Sequence, residues 1–413
     1  MMPPPPKDAL SAEEQILTPN RLRVLVVTKL FPNSVRPSFS VFNRLQMVAL
    51  NQFCNVDVRA TVPWFPFAGA FRRWSEAGQF VDVPAEERID ELNVLHPRFI
   101  AIPKVARASA PFLYAASLWP RLRRLRGQVD VVLGCWAFPD GLAAIQLAEW
   151  LGAASVVKVH GSDLNVLAKN PTVRRLLNRG LPKADRLVAV SRPLAERAIE
   201  LGVDRKRIEI VSNGVDRAVF KLRDREEARR DLELPFKSLV LYVGRLDRAK
   251  GVLDLLDAFQ NLAAKQPDLN LALVGNGPEM ERCRQVAAQL PGRIFLPGAL
   301  AMPKVAQWIA ASDILTLPSW NEGTPNVVLE AFACGRRVVA TDVGGIPDVV
   351  TSSTLGTLIP ARSPIALADA LVEAVKAPYD PIPISHAAPY SWPESGARLH
   401  GVLKAAVASR SSS

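Results

Sequence analysis

Cysteine and histidine are scarce in this chain, with four of each among 413 residues. Cys54, Cys135, Cys283 and Cys334 stand far apart and form no CxxC pair, which argues against both a zinc site and a disulfide framework and suits a reducing compartment. His96, His160, His386 and His400 show no HxxxH spacing, so a histidine-rich metal site is not expected either. No Asp-x-Asp occurs anywhere, and with it goes the usual pair of carboxylates that bridges a metal to phosphates. Long apolar runs are missing too: the windows near Ala108–Pro120 and Val131–Val157 are too short, or are interrupted by Pro139, Asp140 and Glu149. The proline run ending at Pro6 leads into a polar stretch up to Asn20, without the apolar segment of a secretion signal. A cytoplasmic, metal-independent protein with a flexible tail over residues 1–20 is the expectation.

Acidic residues are absent where basic ones are densest. The net charge of +11 divides unevenly, because residues 1–220 hold 30 Lys and Arg against 20 Asp and Glu, while the remainder is nearly balanced. Between Asn93 and Val129, Arg98, Lys104, Arg107, Arg121, Arg123, Arg124 and Arg126 meet no acid and alternate with Phe112, Leu113, Tyr114, Leu118 and Trp119. Such a segment can lie on an anionic membrane surface, each cation contributing roughly 1 kcal/mol near the lipid. A solvated basic helix is the equal alternative. No nucleic-acid recognition motif accompanies the charge, so nucleic acid is not expected as a partner.

What is present is a repeated alternation of apolar strands and amphipathic helices. Leu22–Thr28, Val56–Ala60, Val129–Leu133, Ala154–Val159 and Arg186–Ser191 read as buried parallel strands, with helices over Val41–Asn51, Leu142–Leu151 and Pro193–Leu201. A second series has strands at Ser238–Val243, Asn270–Val274, Ile294–Phe295, Asp313–Leu317 and Arg337–Thr341. This alternation predicts an α/β fold of two Rossmann-like domains whose parallel sheets face an interdomain cleft. Ser212-Asn213-Gly214 reads as a turn just before the connection. The expected domains are 21–216 for the acceptor and 217–390 for the donor, with 391–413 a helix crossing back to the first.

The chemistry concentrates in the segments that follow strands. Asn321-Glu322-Gly323-Thr324-Pro325-Asn326 precedes a helix that should start near Thr324, with Thr as N-cap and Pro325 in the first turn, leaving free amides for an anion. Glu330 lies deeper in that helix, so the two carboxylates address different ends of one ligand. Gly344-Gly345 can approach the same ligand. Gly244-Arg245, with Lys250 six residues beyond Gly244, supplies positive charge after its own strand, and Gly244 lets the backbone turn. Gly275 and Gly277 form a further strand-to-helix turn, and His160-Gly161-Ser162-Asp163 closes a strand in the first half. Taken singly, each has a bland alternative: exposed acids beside a capped helix, a solvated cationic loop, a tight turn, a packed histidine.

Taken together, Arg245 and Lys250, Glu322-x7-Glu330, His160-Gly161-Ser162-Asp163 and Ser212-Asn213-Gly214-Val215-Asp216 resemble the group-1 (family 4) retaining glycosyltransferases of GT-B fold. The likeness runs from about Arg21 to Val407 and takes in Phe31-Pro32, Trp136-Ala137-Phe138-Pro139-Asp140-Gly141 and Ser391-Trp392. It is nearest to bacterial enzymes that build exopolysaccharide or teichuronic-acid-like chains. The resemblance implies that Arg245 and Lys250 contact the diphosphate of a UDP- or GDP-linked hexose, Glu322 its sugar, Glu330 its ribose, and His160 the sugar near its 6-position. It also puts Ser40, Asp140 and Asp163 on the acceptor side, where a polyprenyl-diphosphate-linked glycan is the expected partner. Members of the family carry glycine in the loop after the first strand; here Ser40 stands in its place.

The mechanism then expected is front-face substitution, in which the departing diphosphate helps deprotonate the acceptor hydroxyl. No cofactor is required. Rival readings are a nucleotide-sugar epimerase on the same fold and a non-catalytic nucleotide-sugar binding protein. A nicotinamide oxidoreductase is disfavoured because no Gly-x-Gly-x-x-Gly follows the first strand.

Overall fold

The computed structural model describes residues 21–37, 39–72, 74–101, 108–234, 238–388 and 390–411. The tail 1–20, with Lys104 and Arg107 of the basic segment, lies outside the described residues. In chain order the strands of the first half are β1 (Arg23–Thr28), β2 (Asn55–Ala60), β3 (Val62–Trp64), β4 (Glu86–Ile89), β5 (Leu92–Leu95), β6 (Arg98–Ile100), β7 (Val131–Cys135), β8 (Ala154–Val159), β9 (Arg186–Ala189) and β10 (Ile208–Ile210). Eight of them make one sheet in the order β10-β9-β8-β7-β1-β2-β5-β4, parallel except for β4, while β3 and β6 pair separately. The second half holds β11 (Ser238–Val243), β12 (Leu269–Val274), β13 (Ile294–Gly298), β14 (Ile314–Leu317), β15 (Arg337–Thr341) and β16 (Gly356–Ile359), all parallel, in the order β13-β12-β11-β14-β15-β16.

The central strands of both sheets are buried on both faces, which is why they are continuous apolar runs. Along β1, Val24 and Val26 join one core while Leu25 and Val27 join another. Along β11, Leu239 and Leu241 face one core, Val240 and Tyr242 the next. In each sheet the chain leads off in opposite directions from one pair of neighbours, β1 with β7 and β11 with β14. Such a switch point opens a crevice at the carboxyl ends of its strands, where ligands of doubly wound folds bind.

Several details differ from the expectations. Asn213 and Gly214 do not take positive φ. The segment runs alongside the chain near Ser391, with a parallel bridge from Val215 to Ser391, and a Cβ on Gly214 would stand 2.5 Å from the Trp392 amide nitrogen. Glycine is needed there for close approach rather than for a turn. The final helix, Trp392–Ser411, packs on the helix Val41–Asn51; Leu399, Val402, Leu403 and Ala406 complete a core of the first half. In the basic segment, Tyr114 and Leu118 are buried, and Arg98 donates to the carbonyls of Phe80, Val81 and Val83. These side chains therefore belong to the interior, not to a membrane-facing surface. Among the described residues no helix is long and apolar enough to cross a membrane.

Candidate active site

The second sheet's switch point brings together loops that are 70 residues apart in sequence. Lys250 ends the loop after β11, Glu322 lies in the loop after β14, and Lys250 Nζ stands 2.7 Å from Glu322 Oε1. Ser319 Oγ donates to the same oxygen at 2.7 Å. The Glu322 side chain is one-tenth exposed and that of Lys250 about a third, so the pair has one side open. Backbone contact fixes the register of the loops: Trp320 N donates to Ala249 O, and a Cβ on Gly251 would stand 1.9 Å from Pro318 O. Arg245 projects outward, 69 % exposed, its guanidinium 3.5 Å from Asp247 and its carbonyl held by the Tyr242 hydroxyl. The arrangement presents two cations and two carboxylates at the edge of the crevice, Lys250 with Glu322 and Arg245 with Asp247.

The glycines of this loop act differently from expectation. Gly244 has no positive φ; Gly275 does, at 144°, and a Cβ there would stand 1.8 Å from Gly244 O. Gly277 presses similarly on Leu246 O. These two glycines close the 275–279 turn against the Arg245 loop.

The helix after Glu322 begins at Asn326, and Pro325 occupies the capping position. Thr324 does not cap it. Its hydroxyl donates instead to Val190 O in the first half at 2.7 Å, a tertiary partner that competes with the local amides. The helix thus lacks a side-chain cap, but Asn326 N donates to Thr324 O and Val328 N to Pro325 O, so among its first three amides only that of Val327 is left, among the described residues, for an anion. Glu330, one turn inside, keeps a partly exposed face, yet burial pushes its carboxyl up to about 7. Gly344 and Gly345 lie against the carbonyls of Glu322 and Gly323, with no room for a Cβ at either.

Opposite stand the residues of the first sheet's crevice. Ser40 takes φ 51° and ψ 42°, the left-handed conformation that favours glycine, at the start of the helix Val41–Asn51. His160 packs on Phe42 at 4.9 Å between ring centroids and lies 6.3 Å from Trp136. Desolvation, aided by the charge of Lys158, holds its pKa well below the ordinary value, so the imidazole is neutral. Among the described residues its Nε2 has no hydrogen-bond partner.

Asp140 and Asp163 are both buried and accept from neighbouring backbone amides. Asp163 is buried and accepts from the amides of Ala137, His160, Gly161 and Leu164, which makes it the brace of the His160 loop. Asp140 is buried beneath the loop after β1, accepting from Lys29 N and Thr28 Oγ1; desolvation raises its pKa to about 7. The side chains of Arg121, Arg123, Arg124 and Arg126 are exposed and follow the helix Ala110–Leu122 to the amino ends of the strands, away from the crevice.

The two crevices meet. A Cβ on Gly323 would stand 1.8 Å from His160 O, and one on Gly161 2.9 Å from Gly323 Cα. Asn165 Nδ2 donates to Asn321 Oδ1, Asn213 Nδ2 to Asn326 Oδ1, and Arg192 N to Asp348 Oδ2.

Comparison with known proteins decides what this site belongs to. The description "Glycosyl transferases group 1" matches residues 237–377 and "Glycosyltransferase Family 4" matches residues 72–219. A Bacillus subtilis protein named for teichuronic acid biosynthesis, the glycosyltransferase TuaC, is 31 % identical over 85 % of this chain and 88 % of its own length. The chain is a group-1, family-4 glycosyltransferase. D-inositol 3-phosphate glycosyltransferase of Pseudarthrobacter chlorophenolicus is 31 % identical over 67 % of the chain and 69 % of its own length. In fold, the glycosyltransferase is similar to Anabaena Alr3699/HepE in complex with UDP, with TM-score 0.66 at 20 % identity, covering 93 % of this chain and 100 % of that one. It is likewise similar to sucrose-phosphate synthase from Thermosynechococcus elongatus, with TM-score 0.68 at 20 % identity, covering 94 % and 96 %.

Sequence reasoning missed three parts of the glycosyltransferase's crevice. Ser319 carries no motif signal, being one more polar residue after a strand. Trp136 was visible only as part of a matching segment. Lys158 is fully buried without a carboxylate beside it; its Nζ donates to Gln46 Oε1 and to Asn213 Oδ1, and burial lowers its pKa to about 8. A lysine inside an apolar strand was the available signal, since such residues are almost never buried without a role.

Proposed function

We propose that the enzyme moves a hexosyl residue from a UDP- or GDP-linked sugar to a glycan carried on a polyprenyl diphosphate, with retention of configuration and without a metal. The observation that carries this reading is the Lys250–Glu322 pair at 2.7 Å, set at the second sheet's switch point beside the amino-terminal end of the helix Asn326–Ala333. A diphosphate entering there meets Lys250, Arg245 and the positive end of that helix with the Val327 amide, while sugar hydroxyls donate to Glu322 and ribose hydroxyls to Glu330. Neutral His160 is suited to a hydrogen bond with a sugar hydroxyl. The same cations stabilise the charge that develops on the departing diphosphate, whose oxygen takes the acceptor's proton on the face it leaves. Uridine as the base is supported by the complex of Anabaena HepE with UDP, and polysaccharide building by the name of the Bacillus subtilis relative.

The test is transfer from a panel of nucleotide sugars, with product anomers read by NMR. Glu322→Ala and Lys250→Ala should each lower kcat on the order of a thousandfold, the scale of losing one preorganised charge contact, while thermal melting shows both still folded. Wild-type activity should persist in EDTA. Turnover near wild type in either variant, an inverted product or EDTA inactivation would reject the reading.

A further inference from the structure

Trp136 is held in a backbone conformation that its side chain opposes. Among the described residues six non-glycine positions have positive φ, and five of them lie between 51° and 64°, in the left-handed region. Trp136 alone stands far beyond, at φ 141° and ψ 135°, where glycine is normally required. The surroundings enforce it. Gly141 N donates to Trp136 O at 2.7 Å, and Ala137 N donates to the buried carboxylate of Asp163 at 3.0 Å. Gly141 leaves no room to relax, since a Cβ there would stand 2.6 Å from Val157 and 2.8 Å from Trp136 O.

This constraint places an indole at the first sheet's switch point, directly after β7 and beside His160. The two rings lie 6.3 Å apart and nearly parallel, at 24°. Indole Nε1 is shielded from solvent, and among the described residues it finds no acceptor; the same holds for His160 Nε2. Buried polar atoms are almost always paired, so two unpaired ones side by side, a donor on the indole and a ring nitrogen of neutral His160, point to a ligand that completes them. An uncharged aromatic face with an N–H at its edge matches a pyranose, which offers C–H bonds on its face and oxygens around its rim.

The nucleotide and its diphosphate belong to the second sheet's crevice and the donor sugar reaches as far as His160, so a sugar lying on the indole beyond it is the acceptor's. We propose that Trp136 is the wall of the acceptor site: its indole packs on the terminal sugar of the acceptor glycan and Nε1 donates to one of that sugar's oxygens. This assignment rests on the transferase reading above.

Trp136→Gly tests it, because glycine accepts φ 141° without strain while the wall is removed. Trp136→Phe keeps a ring and loses the N–H. The probes are p-nitrophenyl hexosides, assayed for transfer and, by saturation-transfer NMR, for binding; donor hydrolysis without acceptor is followed in parallel. The glycine variant should melt at or above the wild-type temperature, keep donor KM and hydrolysis within twofold, and raise acceptor KM at least tenfold, with the phenylalanine variant between. An acceptor KM within twofold of wild type in both variants overturns the assignment, and so does a donor KM that rises in step with the acceptor's. If the glycine variant melts lower, the phenylalanine variant decides alone, an unchanged acceptor KM overturning the assignment. Binding of none of the hexosides by wild type overturns it as well. Donor hydrolysis in all three proteins with equal acceptor KM removes this assignment only, whereas no turnover of any nucleotide sugar by wild type removes the transferase reading and this one together.

Discussion

Burial sets the charges along the crevice before any ligand arrives. His160 is neutral, Lys158 is brought down to about 8, and Glu330 and Asp140 are brought up to about 7, in each case mainly by desolvation. For Glu330 the ordinary value is 4.5, so between there and about 7 the folded chain holds a proton that the unfolded chain has released. Its contribution to stability therefore falls as pH rises through that window. Ligand binding runs the other way. Ribose hydroxyls donate best to an ionised carboxylate, so affinity for a nucleotide sugar should weaken as pH drops below about 7, approaching tenfold per unit, and level off above it. Calorimetric titration with UDP-glucose between pH 5.5 and 8 checks this, since its diphosphate does not titrate there. Glu330→Gln should bind with an affinity nearly independent of pH. A slope that survives in that variant would move the effect to another group, with Asp140 the first candidate.

Elements buried on both faces were legible in the sequence, and those on one face were not. Ala154–Val159, Ser238–Val243 and Arg337–Thr341 were read to the residue because a strand covered on both sides is an unbroken apolar run. Glu86–Ile89 was missed because its charged, half-exposed residues mimic a loop, while Leu92–Leu95 and the three-residue strands β3 and β6 are too short to show a periodicity. Thr324 misled because its hydroxyl's partner, Val190 O, is 134 residues away. The basic segment was half legible: its helix buries Tyr114, Ala115, Leu118 and Leu122, leaving Phe112 exposed near one end and the four arginines beyond the other. The 13-residue helix is about 20 Å long, with Phe112 near its start, Arg121 in its last turn and the other three arginines just beyond. Replacing Arg121, Arg123, Arg124 and Arg126 by alanine should cut flotation with anionic liposomes several-fold at low salt, each lost cation removing about 1 kcal/mol at most. Equal recovery would separate this helix from any membrane contact.

At the scale of the whole molecule, two passes of the chain connect the halves, and they lie side by side where Val215 bridges to Ser391. Two adjacent strands of backbone form a natural hinge, and the crevice on one side of it is closed by glycine. Gly323 rests on His160 O, Gly161 on Gly323, and Gly345 on Gly323 O and Ser191. The side chains that cross the junction are the Asp348 carboxylate and short amides and hydroxyls, whose hydrogen bonds are worth about 1 kcal/mol net each and somewhat more for the carboxylate, so the junction is held mainly by how near the backbones come. A methyl group at Gly323 would stand 1.8 Å from a backbone carbonyl, a contact that no side-chain rotation relieves. Gly323→Ala should therefore part the halves without unfolding either: the radius of gyration from small-angle scattering rises, thermal melting changes little, and kcat falls about a hundredfold because donor and acceptor sites no longer meet within about 1 Å of the productive geometry. Gly401→Ala, with open space around its Cβ, is the matched control and should leave all three unchanged. A Gly323→Ala enzyme with wild-type scattering and wild-type turnover would mean that the reaction runs in a more open arrangement, with the Lys250–Glu322 pair and His160 brought together only by the ligand between them.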